Sequence, residues 1–207
     1  MRIVRTAEER KNEILDVAEE LFVTKGYDNT STNDILNRVG IARGTLYYHF
    51  KSKEDILNAM IERINESLVV RARTIAADTS IPVIDRIVRT IAGLNVDSDI
   101  GHEIIDQVHK PQNALMHQKM QKNLAAGIVP IIVSLVDESS EQGIFNIPYP
   151  AETIEMLILY SGIVFDQDYD EPGERSENRI KAFLYNTERL LGAKEGSVQT
   201  AMRKLFQ

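Results

Sequence analysis

The segment "GIARGTLYYHFKSK", residues 40–53, decides the reading of this 207-residue chain. The chain has a formal net charge of -7, yet this segment holds Arg43, Lys51 and Lys53 and no acid. No acid occurs from Ile35 until Glu54, so with Arg38 the stretch 35–53 carries four positive charges. It also gathers two adjacent tyrosines, a histidine and a phenylalanine in a chain that is only 6% aromatic. Residues 1–60 hold 9 Lys and Arg against 10 Asp and Glu, whereas residues 61–207 hold 15 against 21. The acidity therefore lies mostly in the later part, and any affinity for a polyanion must be local to the opening segment.

Working outward from it, the pattern is helical. Gly40-Ile41-Ala42 reads as a turn. Before it, Ser31 is a natural N-cap, Ile35, Leu36 and Val39 form an apolar stripe, and Gly40 ends a short helix. Earlier still, Thr6 and Glu9 form a capping box, Ile14, Ala18, Leu21 and Phe22 share one face, and Gly26 supplies a left-handed stop, giving a first helix over about 6–25. After the turn a third helix spans about 43–49. Ser52-Lys53-Glu54-Asp55 then starts a fourth, which Ile56, Leu57, Met60, Ile61, Ile64 and Leu68 carry to about 75. Further helices are expected near 81–94, 100–109, 112–140, 150–168, 174–192 and 195–206. Pro82, Pro111, Pro148, Pro150 and Pro172 fall at turns or helix starts, while Pro130 lies inside a helical pattern and should kink it. The fold class is all-α.

Two short helices joined by a glycine-containing turn make a helix-turn-helix, here at about 31–50. On the third helix Leu46 and Phe50 are four residues apart and take the core side. Gly44, Thr45 and Tyr48 lie opposite, flanked by Tyr47 and His49. Such a surface suits DNA: hydroxyls and imidazole suit phosphate oxygens, Arg suits guanine and a Thr methyl suits thymine. Lys53 sits at a helix N-terminus, where amides and dipole favour a phosphate. Tyr47 also fits a packing role with only its hydroxyl turned outward.

The run "GYDNTSTNDILNRVGIARGTLYYHFKSKEDIL" resembles the DNA-binding domain of the tetracycline-repressor (TetR) family. Gly26, Tyr27, Thr30, Ser31, Ile35, Gly40, Ile41, Gly44, Thr45, Leu46, Tyr47, His49, Phe50 and Lys53 fill the family's pattern. Leu36 departs from it, standing where the family usually has alanine. The resemblance covers about residues 8–60. It implies that Ser31, Thr32 and Asn33 touch the DNA backbone. It further implies that Arg43, Thr45 and Tyr48 read bases in the major groove, that Tyr47, His49 and Lys53 hold phosphates, and that Gly44 lies against the DNA. Arg2 and Arg5 are either a basic arm for the minor groove or a frayed terminus.

It implies three regions as well: a helix-turn-helix DNA-binding domain over 1–52, a connecting helix over 53–75, and an effector-binding and dimerisation domain over 76–207. In the last, "ETIEMLILYSGIVFDQ" is apolar on nearly all sides and needs covering all round. Ile154, Leu157, Ile158, Ser161, Gly162 and Phe165, with Leu184 from 174–192, are the candidate homodimer interface. The other reading is a central helix of a monomer. His102, Asp106 and His109 share a helical face and suit a metal or a polar ligand, but with His117 the loose spacing is a weak metal signal, and Pro111 interrupts it. They stand as candidate effector contacts, with Met116, Met120, Tyr160 and Phe165 lining a cavity for a greasy or aromatic effector. Each also fits plain core packing.

No cysteine is present, which excludes disulfide and thiolate chemistry. The first residues lack a signal peptide's apolar core, and the longest apolar run, 156–165, is too short to span a bilayer, so a cytoplasmic protein with no membrane partner is expected. No Walker loop, HExxH or nucleophile elbow supports an enzyme, and no cofactor or metal is expected. The function expected is a transcriptional regulator. It would be a repressor that a small-molecule effector releases from a palindromic double-stranded operator. The alternative is a DNA-binding factor of the same fold controlled by a protein partner.

Overall fold

The computed structural model describes residues 6–94, 99–167 and 174–202, except for the side chains of 99, 100, 102, 105, 163–167, 174 and 176. Arg2 and Arg5, and the side chains of His102 and Phe165, lie outside the described residues. Among the described residues the secondary structure is helical, with no strand.

The first helix, α1 (Ala7–Lys25), begins at the Thr6–Glu9 capping box, with Glu9 N–H on Thr6 Oγ1 at 3.2 Å and Thr6 N–H on Glu9 Oε2 at 2.7 Å. Gly26 ends it at φ 82° and ψ 149°, a positive φ outside the left-handed helical region expected. The second helix, α2 (Thr32–Val39), is capped by Ser31 and stopped by Gly40 in the left-handed conformation, φ 73° and ψ 38°. Then follow α3 (Arg43–His49) and α4 (Lys53–Ala77). The start of α4 differs slightly from a capping box. Asp55 N–H donates to Ser52 Oγ at 3.0 Å, but the Asp55 carboxylate accepts from Lys51 N–H instead of Ser52 N–H.

The remaining helices are α5 (Val83–Ala92), α6 (Asp99–Val108), α7 (Ala114–Glu141), α8 (Pro150–Gln167), α9 (Glu174–Leu190) and α10 (Ser197–Met202). A 3-10 turn, Pro111–Asn113, precedes α7, and α7 runs on through Pro130. The segment Pro111–Glu141 holds an 18-residue window of mean hydropathy 1.2, long and apolar enough to cross a membrane. Polar residues and Pro130 interrupt it, so it holds no long unbroken apolar run. Its Ile128, Ile132, Leu135 and Val136 face protein interior.

Packing divides the chain into two units, Met1–Glu66 with Val96–Met120, and Ser67–Asn95 with Gln121–Gln207. The helices α4 and α7 therefore contribute residues to both. The core of the first unit joins Ile14, Ala18, Phe22, Ile35, Leu46, Ile56, Leu57 and Met60 to Ile104 and Val108 of α6. The core of the second joins Ile128, Ile132 and Val136 to Ile154, Leu184 and Leu191. Each of these side chains except the smaller Ala18 contributes about 1.5–3 kcal/mol by leaving water. In the second unit, the buried Arg86 donates to Ala76 O at 2.9 Å, Ile81 O at 3.1 Å and Glu138, so its charge is compensated.

Candidate nucleic-acid interface

The helix α3 is fixed by its inner side. Leu46 is 1% exposed and Phe50 5%, both inside the first core, while Tyr48 stands 79% exposed. A seven-residue helix has too few internal bonds to be stable by itself, so its orientation depends on those two anchors. Arg43 and Gly44 are exposed beside Tyr48, and Thr45 and His49 are half-buried on its flanks. The Tyr48 and His49 rings meet edge-on, 5.0 Å apart at 86°. A methyl placed on Gly44 would meet nothing within 4 Å. Packing inside the protein therefore does not require glycine there.

Tyr47 is a surface residue, 40% exposed. Its hydroxyl lies below the usual tyrosine range, first through a hydrogen bond with the Thr32 side chain and then through Arg43. The Arg43 guanidinium sits 5.4 Å from the Tyr47 ring centroid. Arg43 and Tyr47, one helical turn apart, thus meet on the outer surface of α3.

Ser31 and Asp34 cap α2 reciprocally: Asp34 N–H donates to Ser31 Oγ at 3.1 Å, and Ser31 N–H donates to Asp34 Oδ2 at 2.8 Å. The Ser31 hydroxyl also donates to Asp34 Oδ2 at 2.6 Å. That hydroxyl, then the Ser31 amide, then Lys25 lower the Asp34 carboxyl to about 2. Ser31 and Asn33 are exposed at this helix start, and Thr32 is half-buried. The local positive charge is partly spent inside the protein, because Arg38 pairs with Glu20 and Lys25 with Asp34 at 3.0 Å.

Lys53 is seated rather than free. Its ammonium donates to Tyr27 O at 2.8 Å and lies 4.1 Å from the Tyr27 ring centroid. An ammonium has three donors, so two remain for other acceptors. Tyr27 N–H in turn donates to Glu103 Oε1 of α6 at 2.7 Å. Glu103 was not legible as a site residue, because 76 positions separate it from Tyr27 and no local spacing marks the pair.

The described residues expected around an effector fall in both units. In the first unit the His109 and His117 rings come to 4.9 Å, and Met116 and Met120 pack against the core beside Ile104 and Val108. Asp106 is exposed. Tyr160 belongs to the second unit, where it stacks on Phe183 at 5.9 Å and 9°. It lines an open hollow of about 600 Å³ with Met156, Leu157, Phe183 and Leu190.

Of the residues expected at a dimer interface, Ile154 and Leu184 are buried within the second unit's own core. Leu157, Ile158 and Ser161 are half-buried, and Gly162 is exposed. Among the described residues, the exposed large apolar side chains of α8 and α9 are Met156, Leu159, Tyr160, Tyr185 and Leu190.

Comparison with known proteins agrees with this geometry. Residues 14–60 match the family described as "Bacterial regulatory proteins, tetR family", and residues 97–183 match "Tetracyclin repressor-like, C-terminal domain". The HTH-type transcriptional repressor KstR2 of Mycobacterium tuberculosis is 32% identical over 82 residues, 40% of this chain and 41% of that one. KstR2 of Rhodococcus jostii is 37% identical over 68 residues, 33% of each chain. The similarity thus spans less than half the length of these relatives. A TetR/AcrR-family transcriptional regulator of Thermobifida fusca has a solved structure 25% identical to this chain, with TM-score 0.61 over 96% of this chain and 97% of that one. SmeT of Stenotrophomonas maltophilia, at 21% identity and TM-score 0.59 over 90% and 91%, shares the fold. With both its N-terminal and its C-terminal portions matched, the chain belongs to the tetR family of bacterial regulatory proteins.

Proposed function

We propose that this chain is a sequence-specific DNA-binding transcriptional regulator, a repressor that leaves a palindromic operator when a small molecule binds. The observation that carries the reading is the sidedness of α3. Leu46 and Phe50 anchor it in the core, and Tyr48, Arg43 and Gly44 are left outward in a segment without acids. In this reading Arg43, Thr45 and Tyr48 read base edges. Ser31, Thr32, Asn33, Tyr47, His49 and Lys53 hold the backbone, and Gly44 allows close approach. The first 52 residues are the DNA-binding domain, 53–75 connect, and 76–207 dimerise and bind the effector.

The open apolar face of α8 and α9 suits a second copy of the chain. Two-fold symmetry would set two recognition helices about 34–36 Å apart, one turn of DNA. An effector that prefers another spacing shifts the population away from the DNA-competent state. Two comparisons support the repressor and effector parts: KstR2 is named a transcriptional repressor, and SmeT, 22% identical with TM-score 0.57, was solved as a complex with triclosan. Nothing in the residues supports catalysis, and a DNA-binding regulator belongs in the cytoplasm.

The test is selection of bound fragments from random duplex DNA, followed by titration at fixed salt. A palindromic duplex should bind more tightly than random DNA, and equal binding would refute the reading. A thermal-shift screen of hydrophobic and cationic compounds separates the two modes of control. A stabilising compound that also releases DNA supports a small-molecule effector over a protein partner.

A further inference from the structure

Lys53 lies at the start of α4, beside the recognition helix, and its seat is built from one residue. The Tyr27 carbonyl takes one of its protons at 2.8 Å, and the Tyr27 ring lies 4.1 Å beneath the ammonium. Tyr27 itself sits in the turn between α1 and α2, buried edge-on against Phe22, 5.0 Å away at 71°. Its amide donates to Glu103 Oε1 on α6 at 2.7 Å. The same carboxylate oxygen takes Gln107 Nε2 at 3.2 Å, which leaves the buried Gln107 Oε1 with no donor. Turning that amide over would set oxygen against carboxylate, so Glu103 dictates the polarity of the cluster. The neighbouring pair, Lys110 Nζ to Asp28 Oδ2 at 2.5 Å, is exposed and screened, and holds the turn weakly. Of these two polar contacts to the turn, Glu103 is therefore the firmer.

We propose that Glu103 is a positioning residue for DNA binding: from α6 it fixes the Tyr27 backbone that seats the Lys53 ammonium for a phosphate. Withdrawing α6 takes the acceptor from the Tyr27 amide, loosens the carbonyl and ring, and leaves the phosphate anchor without its seat. This rests on the DNA-binding reading above and names a route by which that site is regulated.

The experiment uses the full chain and the duplex enriched from random DNA, with Glu103→Ala, Lys53→Met, the double variant and Glu103→Gln. Glu103→Ala should weaken binding roughly fivefold or more in the parent, and less than about twofold in the Lys53→Met background, where there is no ammonium to seat. Its salt dependence should lose about one phosphate contact. Glu103→Gln keeps an oxygen for the Tyr27 amide and should stay within about twofold of the parent. Should the alanine variant not fold, Glu103→Asp, whose oxygen is drawn back by one methylene, carries the same comparison.

An equal loss in both backgrounds, no loss, a gain in affinity, or a loss in Glu103→Gln as large as in Glu103→Ala overturns the proposal. Failure of the parent chain to enrich any duplex over random DNA is a different result. It removes the DNA-binding reading itself and this proposal with it.

Discussion

At the scale of single residues, Leu46, Gly44 and Tyr48 have opposite physics within one short helix. Leu46 fills core, so Leu46→Ala should cost about 2–5 kcal/mol and unfold the first unit before any binding effect can be read. Tyr48 is exposed and fills no core, so Tyr48→Ala should leave stability within about 0.5 kcal/mol while relaxing base preference. Gly44 has open space around its Cα, so Gly44→Ala should raise stability by about 0.5 kcal/mol through lower chain entropy. It should also weaken DNA binding by holding the helix off the groove. A melting curve and a titration on the same two preparations check this, and parallel changes in both quantities would contradict it.

The inner side of α3 was readable because Leu46 and Phe50 are four apart and α3 is too short to bury anything else. Tyr47 was only half readable. Its spacing indicates a flank, but the nearness of Thr32 that lowers its hydroxyl has no signature along the chain.

At the scale of elements, the helix ends of the first unit are written in cap chemistry, which is local and therefore legible. Thr6 with Glu9, Ser31 and Gly40 mark α1 and α2 within a residue of where they occur. The reciprocal role of Asp34 was less plain, since an aspartate is shorter than the usual glutamate of a capping box. Its pKa gives a pH prediction. The Asp34 carboxyl falls from 3.8 to about 2 on folding, so its stabilisation is complete above about pH 4 and is lost as pH falls through about 2. Asp34→Asn should therefore flatten the acid limb of a melting-temperature profile in that window and leave its slope near neutrality unchanged. Ser31→Ala removes the other half of the cap and should cost about 1 kcal/mol by denaturant unfolding.

The helix α8 shows the opposite case. Apolar on nearly all sides, it carries no moment to say which face turns inward, so the burial of Ile154 and the exposure of Met156 and Leu159 had to come from the packing.

At the scale of the whole molecule, the acidic balance and the local basic stretch are two sides of one design. In the proposed reading, affinity for DNA is confined to one face, and a second copy of the chain duplicates that face. The open stripe of Met156, Leu159, Tyr160, Tyr185 and Leu190 is the surface a second copy would cover. Leu159→Glu in that stripe should give monomers by light scattering and weaken operator binding, while leaving the helical content of the chain unchanged. Long-range pairs such as Tyr27 with Glu103 exist only once the chain has folded, which is why the sequence shows the recognition helix more plainly than whatever governs it.

The central claim is that the outward face of α3 reads DNA sequence. The most direct measurement titrates the parent and Tyr48→Ala against the enriched duplex and a scrambled duplex of the same length, at one salt concentration. The account predicts that the parent prefers the enriched duplex and that Tyr48→Ala loses most of that preference while keeping its affinity for scrambled DNA. Undiminished preference in Tyr48→Ala, or none in the parent, would contradict it.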